Sequence, residues 1–173
     1  QAFESLTLAH YTRLYRVAKS ILRDRPAAED ATQQALLDIW RYIRRLRDPS
    51  KFNGWSYRLL VHACYAEAKR GATSAGGVES LSGDIVSTAD EYRTVVDRDQ
   101  LERAFRKMSL DHRTVVVLRH LIGMTPEEVA DVLSVPRQTA YSRLRRAEAS
   151  LRAALEADAR LPTTSAPRQE VVR

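Results

Sequence analysis

The chain has 173 residues, 44% of them hydrophobic and 29% charged, with a formal net charge of +6. That length allows one ordinary domain or two small ones, and the apolar content excludes a wholly disordered chain. No apolar run approaches the roughly 20 residues that cross a bilayer, the start is already amphipathic and charged rather than a signal peptide, and the one cysteine, Cys64, excludes an internal disulfide and fits a reducing compartment.

The distribution of charge says more than its total. Residues 1–71 carry a net +6, residues 72–99 a net −4, residues 100–160 a net +3 and the last 13 residues a net +1. Two basic blocks are separated by an acidic one. Basic blocks favour polyanions through counterion release, although a surface imbalance without a partner gives the same totals.

Residues 5–23 read as a helix, because Leu14, Val17, Ala18, Ile21 and Leu22 recur at i, i+3, i+4, i+7 and i+8. Asp24 to Pro26 break it, and Pro26 suits the first turn of the next helix. That helix is expected from about Ala27 to Arg47, with Leu36, Ile39, Trp40, Ile43 and Leu46 as its apolar stripe. Its acids come early and its bases late, as the helix dipole favours. Asp48-Pro49-Ser50 ends it, and a loop from Ser50 to Gly54 follows. Asn53 is expected to cap a third helix from about Gly54 to Arg70, with Trp55, Leu59, Ala63 and Ala66 on its inner side and Tyr57, Arg58, His62, Tyr65, Lys69 and Arg70 around the rest. Aromatic side chains interleaved with bases can stack on unpaired bases and hold phosphates. They can equally be core aromatics beside solvated cations.

Residues 71–90, GATSAGGVESLSGDIVSTAD, are rich in Gly, Ser, Ala and Thr and read as a flexible acidic linker. Order resumes near Glu91. Tyr92, Val95, Val96, Leu101, Ala104 and Phe105 predict a helix ending near Met108, and Ser109 can cap the next, whose dense apolar run Val115 to Leu118 with Leu121 and Ile122 marks the centre of a small bundle. Gly123 stops it.

The most legible stretch is Thr125 to Ala147, TPEEVADVLSVPRQTAYSRLRRA. Thr125 caps, Pro126 takes the first helical position and Glu128 completes a capping box. Val129, Ala130, Val132 and Leu133 face inward, Ser134-Val135 is the turn, and Pro136 restarts a helix with the stripe Ala140, Leu144, Ala147, Leu151 and Leu155. At 100° per residue, Gln138, Ser142 and Arg145 lie opposite Ala140, with Tyr141 and Arg146 on the flanks. Such groups reach base edges and phosphates in a major groove. An amphipathic bundle helix is the competing reading, but a capped short helix, a tight turn and a polar N-terminal half on the second helix together predict a helix-turn-helix. The tail after Leu161 reads as disordered.

Taken together, these segments resemble an extracytoplasmic-function sigma factor of the sigma-70 family over about residues 3–158. AEDATQQALLDIW (Ala28 to Trp40) is similar to the family's region 2.2, FNGWSYRLL (Phe52 to Leu60) to the start of regions 2.3–2.4, and the run from Ser109 to Leu155 to region 4. The resemblance implies an all-α fold of two small helical bundles on a flexible linker: residues 1–71, a linker over 72–99, residues 100–158 with the helix-turn-helix, and a disordered tail over 159–173. It implies that the first bundle binds the clamp helices of the RNA polymerase largest subunit and opens the −10 element, while the second binds the β flap and reads the −35 element. The acidic linker would thread near the RNA exit channel. An anti-sigma protein is a plausible inhibitory partner, and a cytoplasmic location follows. No cofactor, metal or membrane insertion is implied.

Carried over position by position, Asp30, Gln33, Gln34, Leu37 and Trp40 fall on the polymerase-binding pattern, with Leu37 and Trp40 expected to be partly core. Lys51, Phe52 and Asn53 fall in the loop that captures a flipped base, an event that costs a few kcal/mol of lost stacking. Trp55, His62, Tyr65, Lys69 and Arg70 fall in the helix facing the −10 strand. Arg137, Gln138, Thr139, Tyr141, Ser142, Arg143, Arg145 and Arg146 fall on the −35 recognition helix, some contacting bases and the rest phosphates. The chain departs from the family pattern at Val61-His62, where Arg-Asn is frequent, at Ser134, where glycine is frequent at the turn, and at Tyr141, where lysine is common.

Catalysis has no motif here: there is no phosphate-cradling glycine loop and no nucleophile motif. His62 and Cys64 lie on nearly opposite helix faces with no second pair to complete a zinc site, and His10, His112 and His120 are scattered. The rival functional readings are a stand-alone helix-turn-helix regulator that binds duplex DNA without polymerase, and an adaptor that uses its amphipathic helices on protein alone.

Overall fold

A computed structural model describes the backbone over residues 2–74 and 93–159, and these residues are α-helical with short turns and no strand. In chain order the helices are α1 (Ala2–Leu22), α2 (Arg25–Tyr42), α3 (Phe52–Ser74), α4 (Arg93–Lys107), α5 (Leu110–Val116), α6 (Pro126–Leu133) and α7 (Arg137–Ala159). Most of the expected linker, from residue 75 to 92, and the expected tail lie outside the described residues.

Helices α1 to α3 pack as one group, with α2 against both α1 and α3. Leu14, Val17, Ala18 and Ile21 of α1 are buried, as their spacing predicts. Helix α2 departs from its expected face and length. Its buried positions are Ala28, Ala31, Thr32 and Ala35, small residues one turn apart that let neighbouring helices approach closely. Leu36 and Ile39 are half-buried against that core, whereas Trp40 and Ile43 face solvent. The helix gives way at Tyr42 to a 3-10 turn over Ile43–Arg45. Its start is set by Asp24, whose carboxylate accepts from the Ala27 N–H at 2.9 Å, with Pro26 in the first turn.

Helix α3 begins earlier than expected and is not capped by Asn53. Asp48 accepts from the Ser50 N–H at 3.0 Å and caps a 3-10 turn over Pro49–Lys51 that runs directly into α3 at Phe52. The loop-to-helix boundary therefore sits before Phe52, because the 3-10 turn that Asp48 caps already holds Phe52 in a helical conformation and leaves Asn53 inside the first turn of α3. The inner face is also rotated. Ser56, Tyr57, Leu60, Val61, Ala63, Cys64 and Glu67 are buried, while Trp55 and Leu59 are half-buried and Ala66 is exposed. Tyr57 is a core aromatic, 1% exposed, with the Arg13 guanidinium 5.3 Å from its ring centroid.

In the second group, α5, α6 and α4 all pack on α7. Ser109 caps α5 by accepting from the His112 N–H, as expected. A π-helical turn over Val117–Leu121 continues it, and Gly123 at φ 83° ends it. Thr125 and Glu128 form the reciprocal capping box: Oγ1 of Thr125 accepts from the Glu128 N–H at 3.2 Å and Oε2 of Glu128 accepts from the Thr125 N–H at 2.7 Å. Ser134 closes α6 in the left-handed conformation, φ 56°, a position a glycine would occupy with less strain. Ala140, Leu144 and Ala147 of α7 are buried and Leu151 packs beside them. Of the expected inward residues of α4, Ala104 is buried, Phe105 half-buried and Leu101 43% exposed.

The two groups also touch. Helix α3 packs on α6, and α1 packs on α5 and the turn after it. Buried residues from both groups form one continuous cluster.

Candidate nucleic-acid interface

The second group presents a single polar helix face. Because Ala140, Leu144 and Ala147 anchor one side of α7 in the core, rotation along the helix places Gln138, Tyr141, Ser142, Arg145 and Arg146 on the opposite side, where they line one shallow concavity. Gln138, Arg145 and Arg146 are exposed, as is Arg137 at the start of the helix, and Thr139 and Ser142 are half-buried. The Ser142 hydroxyl donates to the Thr139 carbonyl at 3.0 Å. Tyr141 is 46% exposed and its hydroxyl donates to Oε1 of Glu127 at 2.6 Å. That bond holds the Glu127 carboxyl below its usual range and raises the Tyr141 phenol. Arg143 turns away from the concavity toward Asp111 of α5, with Nη1 4.0 Å from Oδ2. The arrangement offers a helix face with donors, acceptors and cations at its N-terminal half, the form that enters a major groove.

The first group carries a different surface. Trp55, His62 and Lys69 recur every seven residues and so share one stripe of α3, with Tyr65 beside it. His62, Lys69 and Arg70 are exposed, and Arg70 is ion-paired to the buried Glu67 one turn back. At the entrance to α3, Lys51 and Asn53 are exposed. Phe52 stands between two rings, His10 at 5.2 Å and Trp55 at 6.1 Å between centroids. The family resemblance placed Phe52 in this loop and Trp55 on the helix after it, but His10 was missed, because its contact with Phe52 joins residues 42 positions apart. Burial, with Arg13 nearby, lowers the His10 pKa and so favours a neutral ring, which suits a stacking surface more than a phosphate clamp. Tyr65 leaves the solvent stripe. Its hydroxyl donates to Oδ1 of Asp111 at 2.7 Å, and burial together with that bond pushes its pKa up to about 12.

A third surface lies on α2. Asp30 and Gln33 are exposed, and Gln34 is half-buried with its amide donating to Asp38 at 3.1 Å. Leu37 is 49% and Trp40 78% exposed, so neither is core, and Tyr42 and Ile43 add to the same end of the helix. The alanines opposite already fill the contact with α1 and α3, which leaves the large apolar side chains without a place inside. Contiguous exposed apolar side chains rimmed by polar ones mark a protein-binding face. Among the described residues no cluster of His, Cys, Asp and Glu could hold a metal ion, and Cys64 is a buried free thiol raised to about 12, by burial first and then by Glu67.

Comparison with known proteins bears directly on these surfaces. Residues 6–73 match the family described as Sigma-70 region 2, and residues 98–151 match Sigma-70, region 4. Among characterised proteins, the chain is 29% identical over 150 residues to the ECF RNA polymerase sigma factor SigM of Mycobacterium tuberculosis, covering 87% of this chain and 75% of that one. It is 26% identical over 168 residues to the RNA polymerase sigma-H factor of Pseudomonas aeruginosa, covering 90% and 87%. Its fold matches the sigma factor RpoE solved with the anti-sigma factor NepR from Bartonella quintana, at a TM-score of 0.73 and 24% identity over 91% of this chain and 98% of that one. It also matches CnrH solved with the cytosolic domain of CnrY, at a TM-score of 0.61 and 25% identity over 91% and 89%.

Proposed function

The chain belongs to the sigma-70 family as an extracytoplasmic-function sigma factor, and we propose how its three surfaces divide the work of promoter-specific transcription initiation. The exposed apolar end of α2 (Leu37 and Trp40, with Asp30, Gln33 and Gln34) docks on the clamp helices of core RNA polymerase. The Lys51–Trp55 corner and the exposed His62, Lys69 and Arg70 positions of α3 receive the opened −10 strand, while Tyr65 is turned away from that stripe by its bond to Asp111. Stacking a flipped base on Phe52 and Trp55 offsets the few kcal/mol lost from the duplex stack. The polar face of α7, from Arg137 to Arg146, reads the −35 element, and its group as a whole docks on the β flap. We assign the −10 surface to residues 1–71 and the −35 surface to residues 100–158. The protein works by binding and carries out no chemistry of its own.

The observation that carries this reading is the pairing in one chain of an unburied tryptophan, Trp40, 78% exposed on α2, with a capping-box helix-turn-helix whose second helix turns its bases outward. In a stand-alone regulator the first would be a dimer contact, and the requirement for polymerase separates the two readings. RpoE, whose fold this chain shares, was solved with the anti-sigma factor NepR, and we propose a regulatory partner of that kind for the exposed α2 and α7 faces. No described helix is long and apolar enough to cross a membrane, and we place the protein with the polymerase and chromosome in the cytoplasm. In vitro transcription with purified core polymerase tests the assignment. Promoter-specific transcripts that require the protein support it; tight, specific duplex binding with no effect on polymerase overturns it.

A further inference from the structure

Glu67 is the one charged side chain among the described residues that the fold buries, at 8% exposure. It shares a side of α3 with Ser56, Leu60 and Ala63, all buried, at spacings that fall on one helix face. At 100° per residue it lies about 200° round the helix from Tyr65, the residue that reaches Asp111 of the second group. Its burial therefore belongs to the first group. The carboxylate is ion-paired with the Arg70 guanidinium, Oε1 to Nη2, and with no other cation among the described residues. Arg70 itself is 65% exposed. Beside it, Lys69 is exposed and has no carboxylate partner among the described residues.

These two adjacent cations are not equivalent. A buried carboxylate stripped of its counter-charge is strongly disfavoured, so Arg70 stays on Glu67 when a nucleic acid arrives. As a unit the pair is close to neutral and gains little from a phosphate, whose attraction follows net charge. What Arg70 keeps is geometry. A guanidinium carries five N–H groups in one plane, and a bond from Nη2 to Glu67 leaves a parallel pair of N–H groups on another edge. Such a fork fits two adjacent acceptors on a base. Guanine presents O6 and N7, and an unpaired cytosine presents O2 and N3. Adenine and thymine alternate donors and acceptors along their edges and offer no such pair.

We propose that Glu67 positions Arg70 to read a guanine or an unpaired cytosine of the opened −10 strand, and that Lys69 takes the neighbouring phosphate. The inference rests on the −10 assignment of Arg70 given above and adds to it the residue that sets the direction of the guanidinium and the class of base it fits.

Holoenzyme binding to promoters premelted at −10, randomised over the opened strand, isolates reading from melting. The variants are Glu67→Gln, which keeps the side-chain size and removes the charge, Arg70→Lys, which keeps the charge and removes the fork, and Lys69→Ala. The wild-type chain is expected to favour guanine or cytosine about tenfold at one position, and Arg70→Lys to erase that preference. Glu67→Gln should weaken it several-fold and steepen the slope of log affinity against log salt by ~0.7, as the released Arg70 takes a phosphate. Lys69→Ala should make the slope shallower by a similar amount and keep the preference. A Glu67 with a structural role alone would change stability and move neither readout. An unchanged base profile in Arg70→Lys overturns the proposal, as does a Glu67→Gln chain of native helix content with wild-type preference and slope. If Glu67→Gln loses helix content, the other two variants carry the test: a preference lost in Arg70→Lys and kept in Lys69→Ala supports the proposal, and any other pair of outcomes overturns it. Transcription with core polymerase separates the two ideas. A wild-type chain that drives promoter-specific transcription without this preference overturns base reading by Arg70 alone, and a chain that drives none overturns the sigma-factor assignment.

Discussion

The Tyr141 hydroxyl donates to Oε1 of Glu127, 2.6 Å away, and so ties the middle of the polar face of α7 to the first turn of α6. With its proton committed to Glu127, the phenol oxygen offers only lone pairs to a ligand. In a major groove it would accept from an amino group of adenine or cytosine and would not donate to guanine or to a phosphate. Tyr141→Phe should therefore erase the preference for an amino-bearing base at one −35 position, by several-fold, and Glu127→Ala should weaken the same position by freeing the proton and the ring. Transcription from a promoter library randomised at −35 measures both. A preference unchanged in both variants removes Tyr141 from base reading.

Arg145 is the exposed cation most nearly opposite the buried stripe of α7. Arg145→Ala should lower promoter use and relax discrimination at its base pair by about 1–3 kcal/mol. A variant that loses affinity equally for all −35 sequences would make Arg145 a phosphate contact, with a shallower salt dependence as the sign.

Trp40 is large and apolar yet mostly in water. Trp40→Ala should change thermal stability by less than about 0.5 kcal/mol and still weaken association with core polymerase markedly, as should Asp30→Ala combined with Gln33→Ala. Co-purification with polymerase and a melting curve on the same samples decide it. Normal assembly by both variants would move the polymerase contact elsewhere.

Tyr65 supplies a pH signature. Its pKa is raised from an ordinary 10 to about 12, chiefly by burial and then by the bond to Asp111, so the folded state favours the neutral phenol. The contribution is complete below about pH 10 and is lost as pH rises through about 12. The melting temperature should therefore fall between those values more steeply in the wild-type chain than in Tyr65→Phe. Parallel curves would place Tyr65 in water.

Much of the fold was legible before any coordinates. The capping box at Thr125 and Glu128, the serine cap of α5, the stop at Gly123 and the stripe of α7 all depend on interactions within a few residues, and local chemistry is what a sequence displays. The face of α7 followed from helical periodicity once its buried stripe was known. The errors came where a distant element decided. Trp40 and Ile43 fit an apolar stripe, but α1 and α3 close on the alanines of α2 and leave no room for them. Asn53 is a good cap by type, but Asp48 begins a 3-10 turn that reaches Phe52 first.

The sequence by itself determined the helices, the turn chemistry and which residues could meet nucleic acid, because caps, periodicity and charge are properties of neighbours along the chain. Only the tertiary structure decided which of those residues are free to act. His10 reaches Phe52, and Tyr65 and Arg143 meet at Asp111, through packing between segments far apart in the chain, which no local pattern encodes.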